Sequence, residues 1–129
     1  MANPGELVLI VDDEPDMCWA LEQLLHKRGF LTFKALSGQE ALPLVRTHGF
    51  AAAFLDAKLP DMDGLELARQ ILKINADISI VMVSGYFYRD DLAIQNAISQ
   101  GLISGFISKP FLQEEILQAL KVSTSYFKT

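Results

Sequence analysis

A chain of 129 residues, half of them hydrophobic, is the size of one domain and carries enough apolar side chain for a single core. Its formal net charge of −5 excludes the bulk attraction to nucleic acid phosphates that clustered Lys and Arg provide. The lone cysteine, Cys18, excludes an internal disulfide. No apolar run approaches the roughly 18 residues that span a bilayer and no charged-then-apolar leader is visible, so a cytoplasmic, membrane-free setting is expected.

Residues 7–11 form a short apolar run rich in β-branched side chains, the pattern of a strand covered on both faces, and the run stops at Asp12-Asp13-Glu14. Pro15 suits the first position of a helix, in which Cys18, Leu21, Leu24, Leu25 and Arg28 recur at helical spacing until Gly29. Cys18 reads as a small buried apolar residue within that pattern. Residues 30–35 are strand-like. Ser37-Gly38-Gln39-Glu40 is a capping box that opens a second helix running to about His48, inside which Pro43 predicts a kink or a late start.

Residues 51–55 are apolar, too short for an independent helix, and end on Asp56, which predicts a buried strand. Pro60, Asp61, Asp63 and Gly64 mark a turn-rich loop, after which Leu65, Ala68, Ile71 and Leu72 repeat as a helix. Residues 78–83 read as a strand. Asp90-Asp91 is an acidic helix start with Ile94, Ala97 and Ile98 on the inner face, and Gly101 ends that helix. Phe106-Ile107 is a short strand, and Leu112, Ile116, Leu117 and Leu120 make a closing amphipathic helix. His26 and His48 fall at helix ends without metal-ligand spacing and read as surface residues. The aromatic run Tyr86-Phe87-Tyr88 reads either as a patch for a partner or as loop aromatics folded over the core.

Five strand-then-helix units in succession predict an α/β fold with a single doubly wound parallel sheet and helices on both faces. In such sheets ligands collect beyond the carboxyl ends of the strands. Four predicted strands end in chemistry: Asp12 and Asp13 after the first, Asp56 after the third, Ser84 after the fourth, Lys109 after the fifth. Three converging carboxylates repel one another, and an oxygen-seeking divalent cation such as Mg²⁺ is the usual remedy. A lysine and a hydroxyl beside that cation complete a cradle for a phosphoryl group, with Asp56 as the nucleophile.

In Asp12-Asp13, Asp56 followed by Leu59-Pro60 and Asp63-Gly64, then Ser84, then Lys109-Pro110, the chain resembles the receiver domains of two-component response regulators. The resemblance covers essentially the whole chain. It implies a flavodoxin-like sheet in strand order 2-1-3-4-5 with five helices. Residues 1–129 would form one receiver domain, structured over about 6–126, with no second domain. It further implies that Asp56 takes a phosphoryl group from the phosphohistidine of a sensor histidine kinase or a phosphotransfer protein. Asp13 and Asp56 would bind Mg²⁺ directly, Asp12 mainly through water, and the Lys58 carbonyl would be a further ligand. Lys109 and the Ser84 hydroxyl would hold phosphoryl oxygens. Phe106 would be the aromatic switch that reports Ser84 to the surface of the fourth helix, fifth strand and fifth helix, which is also where a dimer would form. The output would be a downstream protein or an effector domain absent from this chain.

Two departures from the family pattern bear on kinetics. Gly85 follows the hydroxyl where the family more often has alanine, which predicts a looser loop and less sharply two-state switching. Lys58 and Tyr86 stand at the positions that tune hydrolysis, and a bulky Tyr86 that excludes water predicts a phosphorylated state longer-lived than in Tyr86→Ala. Three alternatives fit the residues less well. A calcium loop built on Gly64 would need carboxylates where Leu59 and Gln70 stand. An aspartate-nucleophile phosphatase would need an acid where Lys58 stands, so no enzyme acting on other substrates is expected. A degenerate receiver used purely as an interaction module usually shows a damaged acidic pocket or a missing acceptor, whereas every key position here is filled.

Overall fold

An apolar run can bury its backbone only if neighbouring strands take up its N–H and C=O groups, and residues apolar on both faces of a strand need a covering layer on each side. The computed structural model, which describes residues 5–85 and 92–123 and the side chains of those up to 120, meets both demands with one sheet. Its strands are β1 (Leu7–Val11), β2 (Leu31–Ala35), β3 (Phe50–Leu55), β4 (Ser79–Ser84) and β5 (Gly105–Ser108). They lie in the order β2-β1-β3-β4-β5, every adjacent pair parallel. The helices are α1 (Pro15–Lys27), α2 (Gly38–Thr47), α3 (Gly64–Ile74), α4 (Leu92–Ser99) and α5 (Gln113–Ser123). The fold is therefore the doubly wound parallel sheet that the order of elements implied, in the flavodoxin-like strand order that the resemblance implied.

Alternation along the strands sorts the core into two layers. Val8, Ile10, Ala52, Phe54, Val81 and Val83 pack with Cys18, Leu21 and Leu25 of α1 and with Ile116 and Leu120 of α5. Leu9, Val11, Ala53, Leu55, Ile80 and Met82 face the opposite way, against Ala41 and Val45 of α2, Ala68 and Ile71 of α3, and Ile94 and Ala97 of α4. The chain places β2 on one side of β1 and β3 on the other, so the strand order reverses between β1 and β3, and the crevice at their carboxyl ends is the position where such sheets hold ligands.

Several expectations need correction. Helix α2 runs unbroken from Gly38 to Thr47 through Pro43, so there is no late start; buried Ala41 and Val45 on either side of the exposed proline hold the helix to the sheet despite the missing N–H. Its capping box is shifted: Ser37 Oγ accepts from Glu40 N at 3.2 Å, but Glu40 Oε1 accepts from Leu36 N rather than from Ser37 N. Ile98 is 44% exposed and Leu112 is 64% exposed, so neither lies on an inner face. His48 is half-buried, its ring 4.3 Å from that of Phe33 and 6.0 Å from that of Phe50. The predicted helix start at Asp90-Asp91 and the aromatics at 86–88 lie outside the described residues. Among the described residues no helix is long and apolar enough to cross a membrane.

Candidate functional site

The sheet ladder carries the first two acids to the rim. Val11 and Leu55 are paired across β1 and β3, and the bonding continues one residue further, Asp56 N donating to Val11 O at 2.9 Å and Asp12 N to Ala35 O at 3.1 Å. Asp12 and Asp56 are thus held side by side at the last rung, 2% and 8% exposed, with the exposed Asp13 next to them. One carboxylate oxygen from each of Asp12, Asp13 and Asp56 lies within 4.8 Å of the other two. Lys109 reaches the group from the end of β5, where its backbone N donates to Ser84 O at 2.8 Å and so ties the ends of β4 and β5 together. The Lys109–Pro110 peptide is cis. Lys109 Nζ donates to Asp12 Oδ2 at 2.7 Å and to Glu14 Oε1 at 3.3 Å, and stands 3.9 Å from Asp56 Oδ1.

Burial, and after it the charge of Asp12, pushes the Asp56 carboxyl up from 3.8 to about 6, against the opposing pull of Lys109 and of the Ala57 amide. Burial alone would lower Lys109, but the hydrogen bond and charge of Asp12, with the charge of Asp56, outweigh it and the ammonium is held above its ordinary range. Beneath the acids, Cys18 Sγ lies 3.4 Å from the Asp12 carbonyl oxygen. Burial pushes that thiol up to about 11, which keeps it protonated and consistent with a core role.

The acceptor-side loop is a tight hairpin. Gly64 N donates to Ala57 O at 2.8 Å, Leu59 N to Met62 O at 3.1 Å, and Lys58 and Asp63 form an antiparallel bridge. Asp63 then caps α3, its Oδ1 accepting from Leu65 N at 2.8 Å. Gly64 is required by this closeness: a Cβ there would strike the Asp56 carbonyl oxygen and lie 3.0 Å from Ala57 Cα, both backbone atoms. Gly64→Ala is therefore expected to lower stability by about 2 kcal/mol, as overpacking against fixed backbone does. Thermal unfolding would check it, and an unchanged Tm would show that the hairpin gives way freely.

A cavity of about 650 Å³ opens over the acids, lined by Asp13, Asp56, Lys58, Leu59, Pro60 and Lys109, together with Glu14, Met17, Gly85 and Pro110. Asp12, Asp13, Asp56, Lys58 and Lys109 are thus gathered at one place. Ser84 is fully buried at the end of β4, opposite Ser108 of β5. Phe106 is not part of the cavity wall; it is half-buried in β5, opposite Met82, and packs against the layer that covers α2 to α4. Tyr86 lies outside the described residues. Two cavity residues were not anticipated. Glu14 reads in sequence as part of the acidic stop to β1, and only its adjacency to the acidic pair hinted at more; Met17, one turn into α1, carries no signal at all.

An all-oxygen set of converging carboxylates suits a hard divalent cation such as Mg²⁺, and the donors present fit one. The response regulator receiver domain family matches residues 8–121, and the chain belongs to that family. It is 34% identical over 117 residues to sporulation initiation phosphotransferase F of Bacillus subtilis, covering 91% of this chain and 92% of that protein. It is 32% identical over 114 residues to the C4-dicarboxylate transport transcriptional regulatory protein DctD of Rhizobium meliloti, covering 88% of this chain but 24% of that protein. Among solved structures, the response regulator protein TrrA of Thermotoga maritima, in complex with Mg²⁺-BeF, has a TM-score of 0.79 and 28% identity, with 92% of this chain and 98% of that chain covered. The chain is thus a receiver domain of the two-component class, a family of signalling switches operated by phosphorylation, and it carries an acidic cluster of Asp12, Asp13 and Asp56.

Proposed function

We propose that Asp56 is the phosphoacceptor and that its charge state is read out through Lys109, Ser84 and Phe106. The observation that carries this is the placement of Asp56 at the reversal of strand order, with a lysine ammonium 3.9 Å from its carboxylate. A carboxyl that titrates at about 6 is still largely ionised at neutral pH, as a nucleophile must be. Its oxygen attacks phosphorus in line while the bond from phosphorus to the donor nitrogen of a phosphohistidine breaks, leaving an acyl phosphate on Asp56. Asp13 and Asp56, with the Lys58 carbonyl and with Asp12 through water, would hold Mg²⁺, which when bound supplies positive charge to the crowded carboxylates and the phosphoryl oxygens.

Lys109 is held at rest by Asp12 and Glu14, close enough to turn onto a phosphoryl oxygen once Asp56 carries one. The Ser84 hydroxyl, on the strand end bonded to Lys109 N, would take another oxygen. Phe106 follows on the neighbouring strand and would pass the change to the face formed by α4, β5 and α5. That face would meet a downstream protein, a second copy or an effector domain. A sensor histidine kinase or phosphotransfer protein would dock over the cavity mouth, where Met17, Leu59, Pro60 and Pro110 ring the acids. The only chemistry required is the domain's own phosphorylation and dephosphorylation. Lys58 and Tyr86 would set the lifetime of the product, Tyr86→Ala shortening it.

The test is incubation with acetyl phosphate, with and without Mg²⁺, followed by intact mass. A Mg²⁺-dependent gain of one phosphoryl group, absent in Asp56→Asn, is expected. No gain in the wild type would overturn the assignment, and continuous phosphate release without a labelled protein would favour a hydrolase.

A further inference from the structure

Asp61 stands at the tip of the 58–63 hairpin, outside the cavity wall and outside the core. Its two carboxylate oxygens each accept a backbone N–H from the start of α2, Gly38 N to Oδ1 at 2.9 Å and Gln39 N to Oδ2 at 2.8 Å. A helix opens with amides that no carbonyl of its own can take. Ser37 satisfies the third of them, on Glu40, and Asp61 satisfies the first two from 23 and 22 residues away. The Gly38 amide foremost, and then the Gln39 amide, hold the Asp61 carboxyl below the usual carboxylate range. Beside this contact the Met62 side chain occupies the place where a Cβ on residue 38 would stand, with Sδ 2.5 Å from it, so glycine at 38 admits the hairpin.

The Asp61 contact adds to the bonds and packing that hold the rest of the hairpin. The Leu59 N to Met62 O contact and the Lys58–Asp63 bridge run within it, Leu59 and Met62 pack against the core, and Pro60 cannot donate. Yet this segment supplies Lys58, Leu59 and Pro60 to the cavity and joins Asp56 through Ala57 alone. We propose that Asp61 is a positioning residue: by clamping the hairpin to the first amides of α2 it fixes the Lys58 backbone relative to the acidic cluster. Mg²⁺ affinity and phosphoryl uptake at Asp56 then depend on a carboxylate that touches neither ion nor acceptor. The inference rests on the reading of Asp56 as acceptor.

The test titrates the full chain with Mg²⁺ by calorimetry, follows its uptake of a phosphoryl group from acetyl phosphate, and records Tm, for wild type, Asp61→Ala, Asp61→Asn and Ser37→Ala. Asp61→Ala is expected to weaken Mg²⁺ binding about tenfold, the size of effect that outer-shell partners of a metal site carry, and to slow uptake in step. Asp61→Asn keeps one carbonyl oxygen as acceptor and should fall between. Ser37→Ala removes a cap bond from the same helix without touching the hairpin; it should lower Tm yet leave Mg²⁺ affinity within about twofold. Asp61→Ala within twofold of wild type, or Ser37→Ala losing as much affinity as Asp61→Ala, would overturn the proposal, the second by tracing the loss to helix stability. A wild type that binds Mg²⁺ but gains no phosphoryl group overturns the acceptor reading while the titration still decides Asp61. A wild type that binds no Mg²⁺ overturns both.

Discussion

Asp56→Asn is expected to stabilise the Mg²⁺-free protein at pH 8 by about 3 kcal/mol, the equivalent of a carboxyl moved from 3.8 to about 6. The carboxyl is 8% exposed, and burial, followed by the neighbouring charge of Asp12, makes its ionised form costly in the folded chain. A folded-state value above the unfolded one means that the folded protein binds the proton more tightly. Below about pH 3.8 both states are protonated and the cost is absent; between there and about 6 stability falls as pH rises; above about 6 the full cost persists. Asparagine is close in size and neutral throughout, so the difference between variant and wild type should open across that window and then level off. Urea unfolding at pH 4, 5, 6 and 8 measures it. Mg²⁺ should stabilise the wild type by mass action and narrow the gap at pH 8. A variant less stable than wild type at pH 8, or a gap that does not change with pH, would show that the acids are not strained when the cation is absent.

The strands and the polar groups at their ends were legible because a parallel sheet buries both faces. The runs at 7–11, 51–55 and 78–83 are continuous rather than alternating for that reason, and each breaks where the chain reaches the polar rim. Helix faces were less legible. Periodicity identifies a stripe but neither its width nor its ends: Ile98 is exposed within α4, and Leu112 lies before the first residue of α5. His48 reads as a solvated helix end because its aromatic neighbours, Phe33 and Phe50, come from two strands flanking the helix in sequence. Long-range polar contacts were invisible for the same reason. Asp61 reads as a turn residue, since nothing near it in sequence shows that its partners are the amides of Gly38 and Gln39. Glu14 reads as the end of a strand, and only the arrival of Lys109 from β5 gives its carboxylate a cation.

The same arrival makes Lys109 the side chain that balances the charge of the acidic cluster. Asp12 is 2% exposed, and the Lys109 ammonium at 2.7 Å is its ion-pair partner, the two side chains being 4% and 11% exposed. Removing one member of such a pair leaves the other as an uncompensated buried charge, so Lys109→Ala is expected to destabilise the Mg²⁺-free protein by about 3 kcal/mol. Lys109→Met, which keeps most of the apolar stem, separates the lost charge from the lost packing and should be nearly as damaging. If the unpaired carboxylate is the cause, Asp12→Asn in the Lys109→Ala background should recover most of the loss, while Asp12→Asn and Lys109→Ala should fail to add. The exposed Lys73 provides the contrast: Lys73→Ala should fall within about 0.5 kcal/mol of wild type. Mg²⁺ should stabilise Lys109→Ala more than wild type, because the added cation meets carboxylates that have lost a close ammonium. Additive effects of the two substitutions would break this account, since they would mean that Asp12 is stabilised by its Glu14 amide bond and surroundings rather than by the lysine.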